Sequence, residues 1–270
     1  MILTVVHVTT YRYDPPVRGA VQSLRVFPSA CEGQVVRHWN VTVEGGTRGG
    51  YFVDGKGDQV EGWSIRGPVA EVAVRVEGLV ETFDMSGVLR GHREALPPEV
   101  WLRQTAPIRP DEALTALAHE AVAGADDMLG RSHRLAAAVA EAITYRPGTT
   151  HAHTTAAEAL AQGEGVCQDH SHALIACAHS LGQPARYVSG YLHATEDGSL
   201  HEAAHAWAEL WVPGLGWVGF DPANSCCPDD RYIRLAAGQD ARDAAPIRGV
   251  ALGGAEERLD VSVAVQAAQQ

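Results

Sequence analysis

The chain has 270 residues, of which 46% are hydrophobic and 20% charged, and a formal net charge of −12. That length supports one large or two modest globular domains, and the acidic balance argues against nucleic acid and anionic membrane surfaces as partners. No apolar run approaches the ~18 residues of a membrane span, and Met1 to Thr9 lack the basic start of a secretory leader, so a cytoplasmic protein is expected.

Residues 1–95 read as a β-rich domain. Leu3–Val8, Val35–Val43 and Val69–Val76 are β-branched and alternate with period two, and Gly45-Gly46, Gly49-Gly50, Asp54-Gly55 and Gly57-Asp58 punctuate them as turns. An antiparallel sheet or small sandwich follows, with no chemistry of its own. Pro97-Pro98, Pro107 and Pro110 mark a boundary, and residues 96–270 are expected to form a second unit. There Asp111 caps a helix over 112–122, Ser132 is expected to cap another running to about Tyr145, and Thr155-x-x-Glu158 is a capping box for a third ending at Gly163. From Cys167 to Leu181 the spacing of Leu174, Cys177, Ala178 and Leu181 predicts one helix, stopped by Gly182 and Pro184. Strands return at 186–192, 206–212 and 216–221, the last two joined through Pro213-Gly214-Leu215 as a hairpin. Leu259–Val265 alternates as a final strand that the sequence assigns to no particular sheet.

Five cysteines in irregular spacing, with no Cys-x-x-Cys, suggest neither a disulfide framework nor a cysteine zinc site. Cys177, on the apolar face of its helix, reads as a small core residue. Cys167 reads differently, because it follows Gly163-Glu164-Gly165-Val166 at a helix start. There the unpaired N–H groups and the positive dipole end favour thiolate, and the glycines are expected to leave the sulfur uncrowded. A thiol nucleophile needs a base, and the base needs an orienting group. His205 opens the first hairpin strand and Asp221 closes the second. A turn centred on residue 213 places them directly opposite each other, on one face.

Four words then carry a resemblance: Gly165-Val166-Cys167-Gln168-Asp169, Leu181-Gly182-Gln183-Pro184-Ala185-Arg186-Tyr187-Val188-Ser189-Gly190-Tyr191, His205-Ala206-Trp207-Ala208-Glu209 and Gly216-Trp217-Val218-Gly219-Phe220-Asp221-Pro222-Ala223-Asn224. They resemble the core of the bacterial transglutaminase-like family, often described as candidate cysteine proteases, and the β-rich start resembles the N-terminal domain that accompanies that core. The resemblance implies an α+β, papain-like core, with Cys167 as nucleophile, His205 as base and Asp221 as orienting acid. It implies attack on a peptide or carboxamide carbonyl through a thioester, without cofactor or metal, on a peptide or protein substrate. Hydrolysis is favoured over amine transfer. A silent binding module is the alternative from another class, and the oligomeric state is not legible. The Cys167 N–H is a natural oxyanion donor, and Tyr145, in a Tyr-x-Pro-Gly-Thr word that the family shares, is the candidate for a second. Gln168, His170 and Trp207 are further candidates to touch substrate. Departures stand at His170, where the family carries an apolar aromatic residue, at Gln183, and at Gln239.

His201-Glu202-Ala203-Ala204-His205 also matches the H-E-x-x-H zinc-protease pattern, whose chemistry needs a helix. An extended chain would part the two histidines by roughly 13 Å, at about 3.3 Å per residue, so the metal reading is disfavoured. His151, His153, His170 and His172 form two His-x-His pairs; residues two apart on a helix do not share a face, and all four read as pocket rim or surface.

Overall fold

Strands rich in valine and threonine open the chain, and they are longer than local patterning suggests. The computed structural model describes residues 1–193 and 203–268. β1 (Ile2–Leu24), β2 (Gln34–Val43), β3 (Gly46–Val53) and β4 (Gln59–Thr82) form an antiparallel sheet. β1 and β4 pair along their length, while β3 and β2 share the two halves of β4. β1 runs through Pro15-Pro16, which have no N–H to give to a ladder. Register shifts between Arg12 and Val17, and between Val17 and Gly19, absorb the missing donors. Gly67 stands at the same bend, where an added Cβ would lie 2.3 Å from the Val17 carbonyl oxygen.

After short 3₁₀ turns at Pro98–Leu102 and Ala106–Ile108 come α1 (Glu112–Ala121) and α2 (Met128–Ala142). Asp111 caps α1 as expected. α2 starts earlier than expected, because Asp127 caps it through the Gly130 N–H at 2.6 Å; Ser132 is buried inside the helix and donates to the Met128 carbonyl. The two-residue strands β5 (Thr144–Tyr145) and β6 (Glu164–Gly165) pair in parallel around α3 (Ala156–Gln162). α4 (Cys167–Ser180) then passes through the centre of the second unit. It packs on α1, α2 and α3 on one side and on the sheet on the other, so residues 169–179 are buried all round.

That sheet is antiparallel in the order β10 (Tyr232–Gly238), β7 (Ala185–Leu192), β8 (Ala204–Val212), β9 (Gly216–Phe220). Ala206, Ala208, Leu210 and Val212 face α4 in the main core, and alternation sends His205, Trp207 and Glu209 to the opposite face. The chain does not stay in this unit to its end, as the expected division at residue 95 implied. β11 (Ile247–Ala251) and β12 (Glu256–Ala267) return to the first sheet and pair with the two halves of β1. Leu3, Val5 and Val80 of that sheet pack with Tyr191, Ile233 and Leu235 of the second. Among the described residues no helix is long and apolar enough to cross a membrane.

Candidate active site

The loop before Cys167 is built by caps. The Thr155–Glu158 capping box starts α3, and Gly163 ends it in the left-handed region at φ 68°. Val166 is extended, and its N–H donates to Asp169 Oδ2 at 2.8 Å, while the Thr150 hydroxyl donates to the same oxygen at 2.6 Å. Asp169 therefore ties the turn shut from inside the helix. Gly165 serves this closure rather than the sulfur: an added Cβ would meet Asp169 Cβ at 2.7 Å and Oδ2 at 2.8 Å. Cys167 begins α4, half-buried, with the free N–H groups of the first turn beside it.

His205 and Asp221 do come together, but not by direct opposition. The pairs Ala208↔Phe220 and Val212↔Gly216 centre the hairpin on Gly214, so Asp221 falls level with Trp207 and His205 lies one diagonal step away. A register offset of two preserves the face, which is why the expected meeting survives the misplaced centre. Pro222 follows Asp221 in the 3₁₀ turn Pro222–Asn224, which packs against α4, and Asp221 Oδ1 accepts the Asn224 N–H at 3.3 Å. The His205 Nε2–H donates to Asp221 Oδ2 at 2.6 Å, with 6% of His205 and 1% of Asp221 exposed.

Burial alone would lower the proton affinity of His205. The hydrogen bonds to Asp221 and Cys167, and their negative charge, overcome it and hold the ring cationic well above the usual histidine range. Burial likewise pushes the Asp221 carboxyl up, and His205, Asn224 and Tyr232 as donors bring it below its ordinary value. Because Nε2 is taken by Asp221, Nδ1 is the nitrogen left to face the thiol.

The remaining candidates separate. The β5–β6 pair sets Tyr145 opposite Gly165, and its half-buried ring lies 6.3 Å from that of His170. Gln168 is half-buried, with Nε2 donating to the Ala152 carbonyl at 3.4 Å. His170 is no rim residue. It is 1% exposed, and its ring nitrogens lie 2.9 Å from the Val166 carbonyl and 2.8 Å from the Ile143 carbonyl. His172 is equally buried, and its Nε2 accepts the Ala241 N–H at 3.0 Å. α4 is enclosed on every side, so no face of it is a surface on which residues two apart could be exposed. His151 and His153 are exposed. Trp207 is 2% exposed and stacks 6.5 Å from the His205 ring, so it backs that ring instead of facing a substrate. Of the zinc-protease pattern, His201 and Glu202 lie outside the described residues, and His205 sits on a strand.

Three contributors went unread. Asp169 could have been found as a carboxylate at the third helical position, and Asn224 as part of an Asp-Pro-x-Asn turn. Tyr232, whose hydroxyl donates to Asp221 Oδ2 at 2.8 Å, has no local signal, since it arrives on β10.

The transglutaminase-like superfamily model matches residues 115–222, and the bacterial transglutaminase-like N-terminal region matches residues 3–81. An uncharacterised protein of Mycobacterium leprae is 32% identical over 285 residues, covering 97% of this chain and 98% of that protein. A protein-glutamine gamma-glutamyltransferase of Pseudomonas aeruginosa is 31% identical over 98 residues, 33% of this chain and 14% of that one. A candidate cysteine protease of Cytophaga hutchinsonii has the same fold, with a TM-score of 0.74 at 19% identity over 100% of this chain and 92% of its own. This chain belongs to the transglutaminase-like superfamily, and it opens with the N-terminal region of the bacterial members.

Proposed function

We propose that this protein is a thiol enzyme that opens a peptide or carboxamide bond with Cys167, His205 and Asp221 and passes the acyl group to water. One observation carries the reading: a buried imidazole held by a carboxylate on Nε2 and engaged by a cysteine at a helix start. In the first half-reaction the Cys167 thiolate attacks the carbonyl carbon, and the carbonyl oxygen takes the negative charge. We assign the Cys167 N–H, in the first turn of α4, as donor to that charge, worth on the order of 3 kcal/mol, with the Tyr145 hydroxyl as our second donor. As the tetrahedral species collapses, the C–N bond breaks, and the His205 Nδ1–H protonates the leaving amine. In the second half-reaction neutral His205 takes a proton from water, which attacks the thioester and returns the thiol. Asp221 keeps the ring oriented and favours the cation throughout. Gln168, half-buried beside Cys167, is the side chain we place at the substrate rim, and a peptide or protein is the substrate class we favour.

The cytoplasm, where thiols stay reduced, suits five free cysteines, and we take it as the compartment. Hydrolysis is preferred on the sequence resemblance; amine transfer is the competing outcome.

Iodoacetamide labelling followed by mass spectrometry tests the site. Near neutral pH, Cys167 should label much faster than Cys31, Cys177, Cys226 and Cys227, and His205→Ala should abolish the advantage. Equal rates, indifferent to His205→Ala, would sink the proposal and leave a binding module. Ammonia release that rises with an added primary amine, with that amine found in the product, would replace hydrolysis by transfer.

A further inference from the structure

The triad carboxylate receives more donors than orienting one imidazole requires. Asp221 Oδ2 accepts from His205 Nε2–H at 2.6 Å, from Asn224 Nδ2–H at 2.7 Å and from the Tyr232 hydroxyl at 2.8 Å. Asn224 belongs to the same turn as the acid, whereas Tyr232 comes from β10, beyond the stretch that matches the superfamily core. Its side chain is enclosed: Tyr232 is 5% exposed, edge-on to Trp207 at 5.5 Å and 5.9 Å from the His205 ring. A phenol has one proton, and here Asp221 takes it. The Cys226 thiol, 3.3 Å from the Tyr232 oxygen, is then the donor in that contact.

β10 holds this hydroxyl firmly because it is fastened on both sides. Tyr232 pairs with Leu192 of β7. Two residues on, the Arg234 N–H donates to Gln34 Oε1 at 2.9 Å, and Nη1 donates to Ser29 Oγ at 2.6 Å, both on the N-terminal unit. Arg234 Nε donates to Glu209 Oε1 of β8 at 2.8 Å. The tyrosine thus stands on a strand whose position the first 95 residues help to set.

We propose that Tyr232 is a positioning residue of the reaction: through its hydroxyl it holds the Asp221 carboxylate in place as the ionised partner of His205. This rests on the thiol-enzyme reading given above. Its consequence is directional. A donor to a carboxylate favours the charged form, so removing one raises the pH at which Asp221 takes a proton and stops supporting the imidazolium. Other titratable groups near Asp221 are His205, with Cys167 across its ring; Cys226, close to the Arg231–Asp229 pair; and His133 and Glu141, which line the groove beside the acid. Tyr232→Phe leaves each of these groups in the chain, takes from the Cys226 thiol its acceptor, and keeps the ring that packs on Trp207.

The test follows the rate of Cys167 alkylation by iodoacetamide against pH, in the parent, Tyr232→Phe, Cys226→Ala and His205→Ala, at a temperature where circular dichroism shows all four folded. In Tyr232→Phe the acid limb should move up by about one pH unit, a tenfold loss of rate on that limb. Cys226→Ala, which spares the Tyr232–Asp221 bond, should keep the parent limb. A Tyr232→Phe profile that overlays the parent, or an equal shift in Cys226→Ala, overturns the inference alone. A parent Cys167 that labels slowly and ignores His205→Ala overturns the site reading and this inference together.

Discussion

At the scale of single residues, the polar side chains of α4 show how a buried helix keeps its hydrogen bonds. His170 stands between the Val166 carbonyl at the helix start and the Ile143 carbonyl at the end of α2; the former already accepts the Asp169 and His170 backbone N–H groups, so the one N–H of a neutral ring serves Ile143. The family's apolar aromatic side chain at this position could fill the volume but not donate. His170→Phe should therefore leave the Ile143 carbonyl without its imidazole donor and cost about 1–3 kcal/mol of unfolding free energy. Urea denaturation would show this as a lower midpoint, while Cys167 in the folded variant keeps its fast labelling. Loss of that labelling with unchanged stability would instead return His170 to the substrate pocket.

At the scale of elements, Cys167 is placed by a turn rather than by the helix alone. Asp169 closes the turn with two accepted hydrogen bonds, and Gly165 is the space in which its side chain lies. A methyl group at Gly165 would stand 2.7 Å from Asp169 Cβ, in a backbone–side-chain contact with little room to give. Gly165→Ala should push Asp169 off the Val166 N–H and shift Cys167 relative to His205. The expected result is a fall of at least about tenfold in Cys167 labelling with the fold retained, since a small misplacement of reacting groups is felt strongly in rate. Labelling at the parent rate would show that the turn tolerates the change and that Asp169 is not what places the sulfur.

At the scale of the whole molecule, the two units share one buried ion network. Glu209, on the face of β8 that also carries His205, accepts from Arg186 Nε at 2.7 Å and from Arg234 Nε at 2.8 Å. Glu94 reaches Arg186 from outside the sheet at 2.5 Å, and Arg186 lies 4.0 Å over the Trp217 ring. Asp58, in the turn between β3 and β4, stands 3.6 Å from Arg234. Burial would push the Glu209 carboxyl up, but the two guanidinium groups hold it down, to about 2. A carboxyl depressed in the folded state contributes stability above its unfolded value, roughly 4.3, and loses it as pH falls through the folded one. Thermal melting should thus show both units losing stability together between roughly pH 4 and pH 2. Glu209→Gln should already cost about 3–5 kcal/mol at neutral pH, because two buried cations lose their shared anion, and the acid dependence should flatten. Two separate melting transitions would mean that the network does not bind the units.

Much was legible from the chain alone because it rests on local rules. Caps, turn residues and helical spacing located α1, α3 and α4, the Cys167 helix start and the Pro213-Gly214 hairpin, and period-two alternation put His205 and Asp221 on one face. Those signals sit within a few residues of the feature they specify. What only the tertiary structure decided involves partners far apart in sequence: Tyr232 brought to Asp221 by β10, β12 returned to β1, and His170 buried by the closing of α1, α2 and α3 around α4. Alternation states which residues share a face but not what covers it, and hydrogen-bonding capacity states that a group needs a partner but not which one. Choosing the partner is the work of the packed chain.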